Sequence, residues 1–267
     1  MLVTKSKRIF VYAVTKAKWK RRNMSKLALV TGGSGGLGAA ICRKLAQSGY
    51  RVILTYNSNQ KAADDVLSSL PRNDHLAFKL NVADSGEIEQ LKHQVSEMSD
   101  KLDFLVNCAG MTKFVAHADL QSLDDQLFDQ IFQVNVRAPF AMVRAFEPLL
   151  KQANGCVVNI TSIAAQTAMG SNIAYCASKS AAENMTRSLA RALSPEIRVL
   201  AVAPGLVDTE FVKGLDDAWR NQQEQSTPLK RLANDEEVAQ AVYAAAEVLT
   251  FSTGNTIAVD GGRPLGL

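Results

Sequence analysis

Leu27-Ala28-Leu29-Val30-Thr31-Gly32-Gly33-Ser34-Gly35-Gly36-Leu37-Gly38 is the stretch that decides the fold. A continuous apolar run of strand character feeds a glycine-rich turn. The turn in turn feeds Ala39-Ala40-Ile41-Cys42-Arg43-Lys44-Leu45-Ala46, which reads as an amphipathic helix. Strand, glycine turn and helix in that order predict a dinucleotide site. Residues without Cβ let the backbone come close to a pyrophosphate, and the free N–H groups of a helix N-terminus favour its charge. The glycines parse in two ways. Gly33, Gly35 and Gly38 spell G-x-G-x-x-G, whereas Gly32, Gly36 and Gly38 spell T-G-x-x-x-G-x-G. Ser34 and Leu37 lie inside the turn and join the candidate binding set.

Outward from this unit, short β-rich runs alternate with helical stretches. Strands are expected at Leu27–Thr31, Val52–Thr55, Leu76–Leu80, Leu102–Val106, Cys156–Ile160, Arg198–Val202 and Thr256–Val259. Helical periodicity fills Ala62–Leu70, Ile88–Met98, Tyr175–Leu193 and Glu236–Leu249. Apolar strands joined by helical crossovers predict an α/β fold, a parallel sheet covered on both faces. Ligands of such sheets sit beyond the carboxyl ends of the strands. Gly32–Gly38, Asn107–Gly110, Ser162 and Pro204–Gly205 all follow candidate strands, so one cleft can gather them. The stretch from Val207 to Arg231 is the least regular and reads as a substrate lid.

A second constellation carries chemistry. Tyr175-Cys176-Ala177-Ser178-Lys179 places a phenol and an amine one helical turn apart on one face. An ammonium near a phenol favours the phenolate, which predicts a lowered pKa for Tyr175 and proton exchange near neutral pH. Ser162, thirteen residues before Tyr175, can hydrogen-bond the oxygen whose charge changes.

With these residues in place, the chain resembles the short-chain dehydrogenase/reductase family over residues 24–267. The second glycine parsing is that family's own. Asn107-Cys108-Ala109-Gly110 is similar to its N-N-A-G element, with Cys in the second place. Asn135 corresponds to the helix asparagine of the proton relay, and Ser162, Tyr175 and Lys179 to the other catalytic positions. Pro204-Gly205, with Val207 and Thr209 following, matches the stretch that contacts the nicotinamide end. The resemblance implies a single-domain Rossmann-like doubly wound sheet of seven mainly parallel strands. It also implies hydride transfer between a nicotinamide and a carbonyl carbon, with Tyr175 the proton donor. Lys179 would also bond the nicotinamide ribose, and Asn135 would hold a water linking Lys179 to solvent. Homotetramers are common in the family, which predicts a homo-oligomer.

The second strand ends Thr55-Tyr56-Asn57-Ser58-Asn59 without the acid that would repel a 2′-phosphate. Asn57 and Ser58 therefore point to NADP, with NAD the alternative. Gly35 stands where many NADP-using relatives have a basic residue. Asn81, before Val82, replaces the usual Asp near the adenine. Within the family the chain looks most like the 3-oxoacyl-(acyl-carrier-protein) reductases of fatty acid biosynthesis, which implies NADPH-dependent reduction of a 3-oxoacyl thioester. Arg137, Arg187 and Arg191 are candidate contacts for an acidic carrier protein. Ile163, Ala164, Gln166 and Met169 are small or apolar walls that suit an aliphatic substrate. The competing readings are an NAD(P)-dependent alcohol, sugar or steroid dehydrogenase and a non-catalytic dinucleotide-binding protein.

Composition agrees with a cytoplasmic enzyme. The 267 residues are 47% hydrophobic, enough for a large core. No apolar run is long enough for a membrane span. Cys42, Cys108, Cys156 and Cys176 form no C-x-x-C pair, and His75, His93 and His117 lack ligand spacing, so no metal is expected. The net charge of +4 comes from residues 1–23, which hold eight Lys or Arg and no acid. The remainder has 22 basic and 26 acidic residues, a net −4, and offers no nucleic-acid patch. Residues 1–23 read as an N-terminal extension, an upstream-start artefact or a disordered tail, with a basic organelle-targeting leader as the other reading.

Overall fold

The computed structural model describes residues 25–208 and 216–265, so the basic extension and Thr209 lie outside the described residues. Seven strands form one parallel sheet: β1 (Leu27–Thr31), β2 (Arg51–Tyr56), β3 (Leu76–Lys79), β4 (Phe104–Asn107), β5 (Cys156–Ile160), β6 (Arg198–Pro204) and β7 (Thr256–Val259). Their spatial order is β3-β2-β1-β4-β5-β6-β7. The chain runs outward from β1 to one edge, then returns to build the other half from β4. The order reverses between β1 and β4, whose Thr31 and Asn107 are paired in register. A ligand crevice opens at that reversal, past the strand ends.

Parallel strands need crossovers, and helices supply them on both faces. One face carries α1 (Gly36–Gln47) and α2 (Gln60–Ser69), and the other carries α3 (Ser85–Met98). After β4 come α4 (Asp125–Phe132), a π-helical turn (Gln133–Arg137) and α5 (Ala138–Ala153). The short α6 (Ala164–Thr167) and long α7 (Ile173–Leu193) follow β5, and α8 (Asp217–Ser226) and α9 (Asp235–Glu247) follow β6. Alternate strand residues point to opposite faces, so two cores result. Val30, Leu54 and Val158 pack with Ile41, Leu45, Val238 and Val242 of α1 and α9. Leu29, Leu105 and Val157 pack with Ile88 and Leu91 of α3 and Met142, Phe146 and Leu150 of α5. No described helix is long and apolar enough to cross a membrane.

The expected strands hold, with small shifts at their ends. Leu102, expected in the fourth strand, instead donates its buried N–H to Leu149 O at 2.9 Å before β4 begins. Pro204 closes β6 itself. The irregular stretch contains a helix: α8 is capped by Asp216, which accepts from Trp219 N. Arg220 of α8 meets Asp208 at 2.8 Å, and Arg263 from the C-terminal end bonds Gln223.

Candidate active site

The glycine turn shows which parsing is the structural one. Gly32 and Gly36 have φ of +67° and +49°, a region that strongly favours glycine. A Cβ on Gly32 would lie 2.9 Å from Ala109 Cα, and one on Gly38 only 2.1 Å from Gly32 O. The turn is therefore packed backbone to backbone, against the loop after β4 and against its own start. Thr31 completes the join: its hydroxyl accepts from the N–H groups of Cys108 and Ala109 at 3.0 and 3.1 Å.

Beyond this joint opens a cleft of ≈ 690 Å³. Its walls include Gly32, Ser34, Leu37, Gly38, Asn57, Ser58, Asn81, Val82, Ala109 and Gly110, ten of the residues expected to bind the dinucleotide. Asn57 and Ser58 stand at the end of β2, beside Asn59, whose side chain accepts from Ala62 N and caps α2. Asn81 Oδ1 already accepts from Ala83 N at 3.0 Å, leaving one lone pair for a ligand. Gly36 shapes the turn rather than the wall. Asn107 lies below the cleft, donating from Nδ2 to Asn159 Oδ1 at 2.9 Å. Pro204, Gly205 and Val207 are also outside these walls. Pro204 O accepts from Ile163 N at 3.0 Å, Gly205 N donates to Val259 O, and Val207 is buried beside Ala233.

The residues expected to transfer a proton adjoin the cleft at Gly110. A Cβ there would be 3.4 Å from Asn135 Oδ1 and 3.8 Å from Lys179 Nζ. Ser162 lies close enough to the Tyr175 hydroxyl to lower its pKa, and the Ser162 oxygen accepts from Ala164 N at 3.1 Å. Lys179 Nζ donates to Ile160 O at 2.9 Å and lies 5.6 Å from the Tyr175 ring centroid. β5, the loop after it and α7 thus bring Ser162, Tyr175 and Lys179 together.

The expected acidic phenol is not what this arrangement produces. Burial pushes the Tyr175 pKa up, and the neighbouring Ser162 only partly opposes it. The amine bears the larger perturbation. Burial lowers Lys179 from 10.5 to about 8, while the neighbouring Cys108 thiol pulls the other way. Each charged form loses water here, and for Tyr175 that loss outweighs the support of its neighbours. Tyr175 is thus a protonated phenol at neutral pH.

Asn135 sits in the π-helical turn, with both donors of its amide in use. Its Oδ1 accepts from Met111 N at 2.9 Å, and its Nδ2 donates to Met111 O and Ser178 Oγ at 3.0 and 3.1 Å. Sequence reasoning missed Asn172. This buried side chain caps α7 by accepting from Tyr175 N at 2.7 Å. It also donates to Lys113 O at 2.7 Å and Thr112 Oγ1 at 3.2 Å, in the loop leaving the cleft. An Asn just before an apolar helical run was the available signal. Of the three arginines proposed for docking, Arg137 is spent on Ser85 Oγ and Ala83 O. Arg187 and Arg191 border a shallow hollow on α7 with Asn184 and Ser188. No group of three or more metal-binding side chains occurs among the described residues.

Comparison with known proteins places this geometry. A family model described as enoyl-(acyl carrier protein) reductase matches residues 32–263. The 3-oxoacyl-[acyl-carrier-protein] reductase FabG of Staphylococcus epidermidis is 32% identical over 244 residues, covering 90% of this chain and 99% of that one. The chain belongs to the short-chain dehydrogenase/reductase family. Among solved structures, a short-chain dehydrogenase/reductase of Brucella melitensis superposes with a TM-score of 0.83 at 29% identity, covering 89% of this chain and 96% of that one. The RhlG/NADP complex of Pseudomonas aeruginosa gives 0.82 at 31%, covering 90% and 96%. The protein is accordingly an NAD(P)-dependent oxidoreductase.

The residues present fit such a cofactor. A glycine cradle in which added Cβ atoms would clash, opening on a cleft of this size, suits a pyrophosphate held by backbone N–H groups. A bound nicotinamide would supply the hydride.

Proposed function

We propose that this enzyme is an NADPH-dependent ketoreductase acting on 3-oxoacyl thioesters, with Ser162, Tyr175, Lys179 and Asn135 as its working set. The observation that carries the reading is that Ser162 lies beside the Tyr175 hydroxyl, with a buried Lys179 one turn along α7. As a carbonyl is reduced, negative charge grows on its oxygen. Ser162 donates a hydrogen bond to that oxygen, and Tyr175 gives it a proton. A phenol held protonated by burial is the state that reduction needs. Lys179, held by Ile160 O, keeps its ammonium 5.6 Å from the Tyr175 ring centroid and would bond the ribose of a bound nicotinamide. Asn135 fixes Met111 and so the floor between cleft and phenol.

The absence of an acid at the end of β2, with Asn57 and Ser58 facing the cleft, supports NADP over NAD. The 3-oxoacyl reading draws on the reductase relatives and on the exposed apolar Met169 near Tyr175, while the expected walls Ile163 and Ala164 are buried. An acyl carrier protein is the partner this implies, with Arg187 and Arg191 as the cations α7 offers it. We extend the reading to residues 24–267 as one catalytic domain, to Pro204, Gly205, Val207 and Thr209 at the nicotinamide end, and to a cytoplasmic homo-oligomer.

The test is NADPH oxidation with a 3-oxoacyl thioester, a 2-enoyl thioester, a sugar, a steroid ketone and a simple ketone, repeated with NADH. Fastest turnover is expected for the 3-oxoacyl thioester with NADPH, falling at least a thousandfold in Tyr175→Phe. Preference for the enoyl thioester, or turnover that survives loss of the phenol, refutes the reading. Preference for NADH overturns the roles of Asn57 and Ser58.

A further inference from the structure

Two loops flank Tyr175 and carry large apolar side chains into solvent. Phe114, in the loop after β4, is 78% exposed, Met169 after α6 is 62% exposed, and Ile173 at the start of α7 is 39% exposed. They belong to one wall. Val115 N donates to Ser171 O at 2.9 Å, and His117 bonds Gly170 O at 3.1 Å. Asn172 ties the same loop to the helix that carries Tyr175. The wall also abuts the catalytic phenol, since a Cβ on Gly170 would lie 3.1 Å from Tyr175 Cδ1.

The backbone is strained where this wall is set. Ala168, immediately before Met169, has φ +55° and ψ 18°, a left-handed conformation unfavourable to a residue with a Cβ. Strain of this kind persists where its surroundings impose it, and it concentrates at functional positions. Here it turns the chain out of α6 and presents Met169 at the surface. Exposed apolar groups scattered singly mean little, but a fixed set beside a catalytic group marks a binding surface.

We propose that Phe114, Met169 and Ile173 form the subsite for the aliphatic chain of the acyl substrate, and so set a preference for medium over short chains. This rests on the 3-oxoacyl reading above. The reacting ketone sits at Tyr175 and Ser162, and the chain beyond it runs over the wall. Water leaves both surfaces as it does so. A methylene half covered in this way gains roughly a twofold factor, so six of them give about ten- to a hundredfold.

The experiment measures kcat/KM for 3-oxoacyl-N-acetylcysteamine thioesters from four to ten carbons, with NADPH and the full chain. The readout is the ratio of the longest to the shortest substrate, which cancels any general loss of activity. Wild type is expected to give a ratio of about ten to a hundred. Phe114→Gln combined with Met169→Gln is expected to bring it within threefold of one. Ala168→Gly, which keeps both side chains but frees the turn, is expected to fall between. A wild-type ratio near one, or a ratio retained in the double variant, overturns the subsite while leaving the ketoreductase reading intact. Turnover of ketones but of no thioester at any length overturns both.

Discussion

Replacing Lys179 by Met is expected to make the protein more stable while destroying its activity. The amine is 7% exposed, and burial lowers its pKa from 10.5 to about 8. That gap corresponds to about 3 kcal/mol by which the fold disfavours the ammonium at neutral pH. Met has similar length and no charge to desolvate. The substitution also deletes the bond to Ile160 O, a loss of about 1 kcal/mol. The net is about 2 kcal/mol of added stability at pH 7, or roughly 4–8 °C in Tm. The pH dependence makes the test specific. Between pH 8 and 10.5 the folded protein binds fewer protons at this site than the unfolded chain, so wild-type stability climbs with pH there. The advantage of the variant is therefore full below pH 8 and shrinks as pH rises toward 10.5. Urea unfolding at pH 7, 9 and 10 measures it. A variant less stable than wild type at pH 7, or a difference that ignores pH, refutes the assignment of a strained, buried ammonium.

Three other outcomes are expected. Gly38→Ala places a Cβ 2.1 Å from Gly32 O, so it is expected to abolish NADPH binding, read by fluorescence titration, and to cost more than about 3 kcal/mol in unfolding experiments. Ala168→Gly relieves a left-handed alanine and is expected to stabilise by about 1 kcal/mol in denaturant unfolding, since the same φ is free of penalty for glycine. Burial holds His75 below its usual 6.5, with Nδ1 accepting from Val52 N at 3.0 Å. The unfolded chain takes up that proton first as pH falls through about 6.5, so stability is expected to drop from pH 7 to 5, with a slope that His75→Asn reduces.

What the sequence made legible was whatever repeats locally. Continuous apolar runs located the strands because both faces of this sheet are covered, and the glycine turn was readable because its φ values favour glycine and its contacts leave no room for a Cβ at Gly32 and Gly38. Tyr175 and Lys179 were found by spacing on one helix. Their proton affinities were not, because the ammonium's influence depends on how much water β5 and α7 exclude together. Asn172 escaped for a related reason. Its cap on α7 is local, but its grip on Lys113 O joins positions 59 residues apart. Arg137 looked free on a helix and is in fact tied to the turn before α3.

The π-helical turn at Gln133–Arg137 uncouples the site from the core. One residue is in effect inserted into an otherwise regular helix, and the local widening absorbs it, so α5 continues in phase. Deleting a single residue there would restore regular winding and leave Met142, Phe146 and Leu150 against the sheet. The loss would fall on Asn135 and its bonds to Met111 and Ser178. A one-codon deletion in this stretch would therefore dismantle the site and spare the fold.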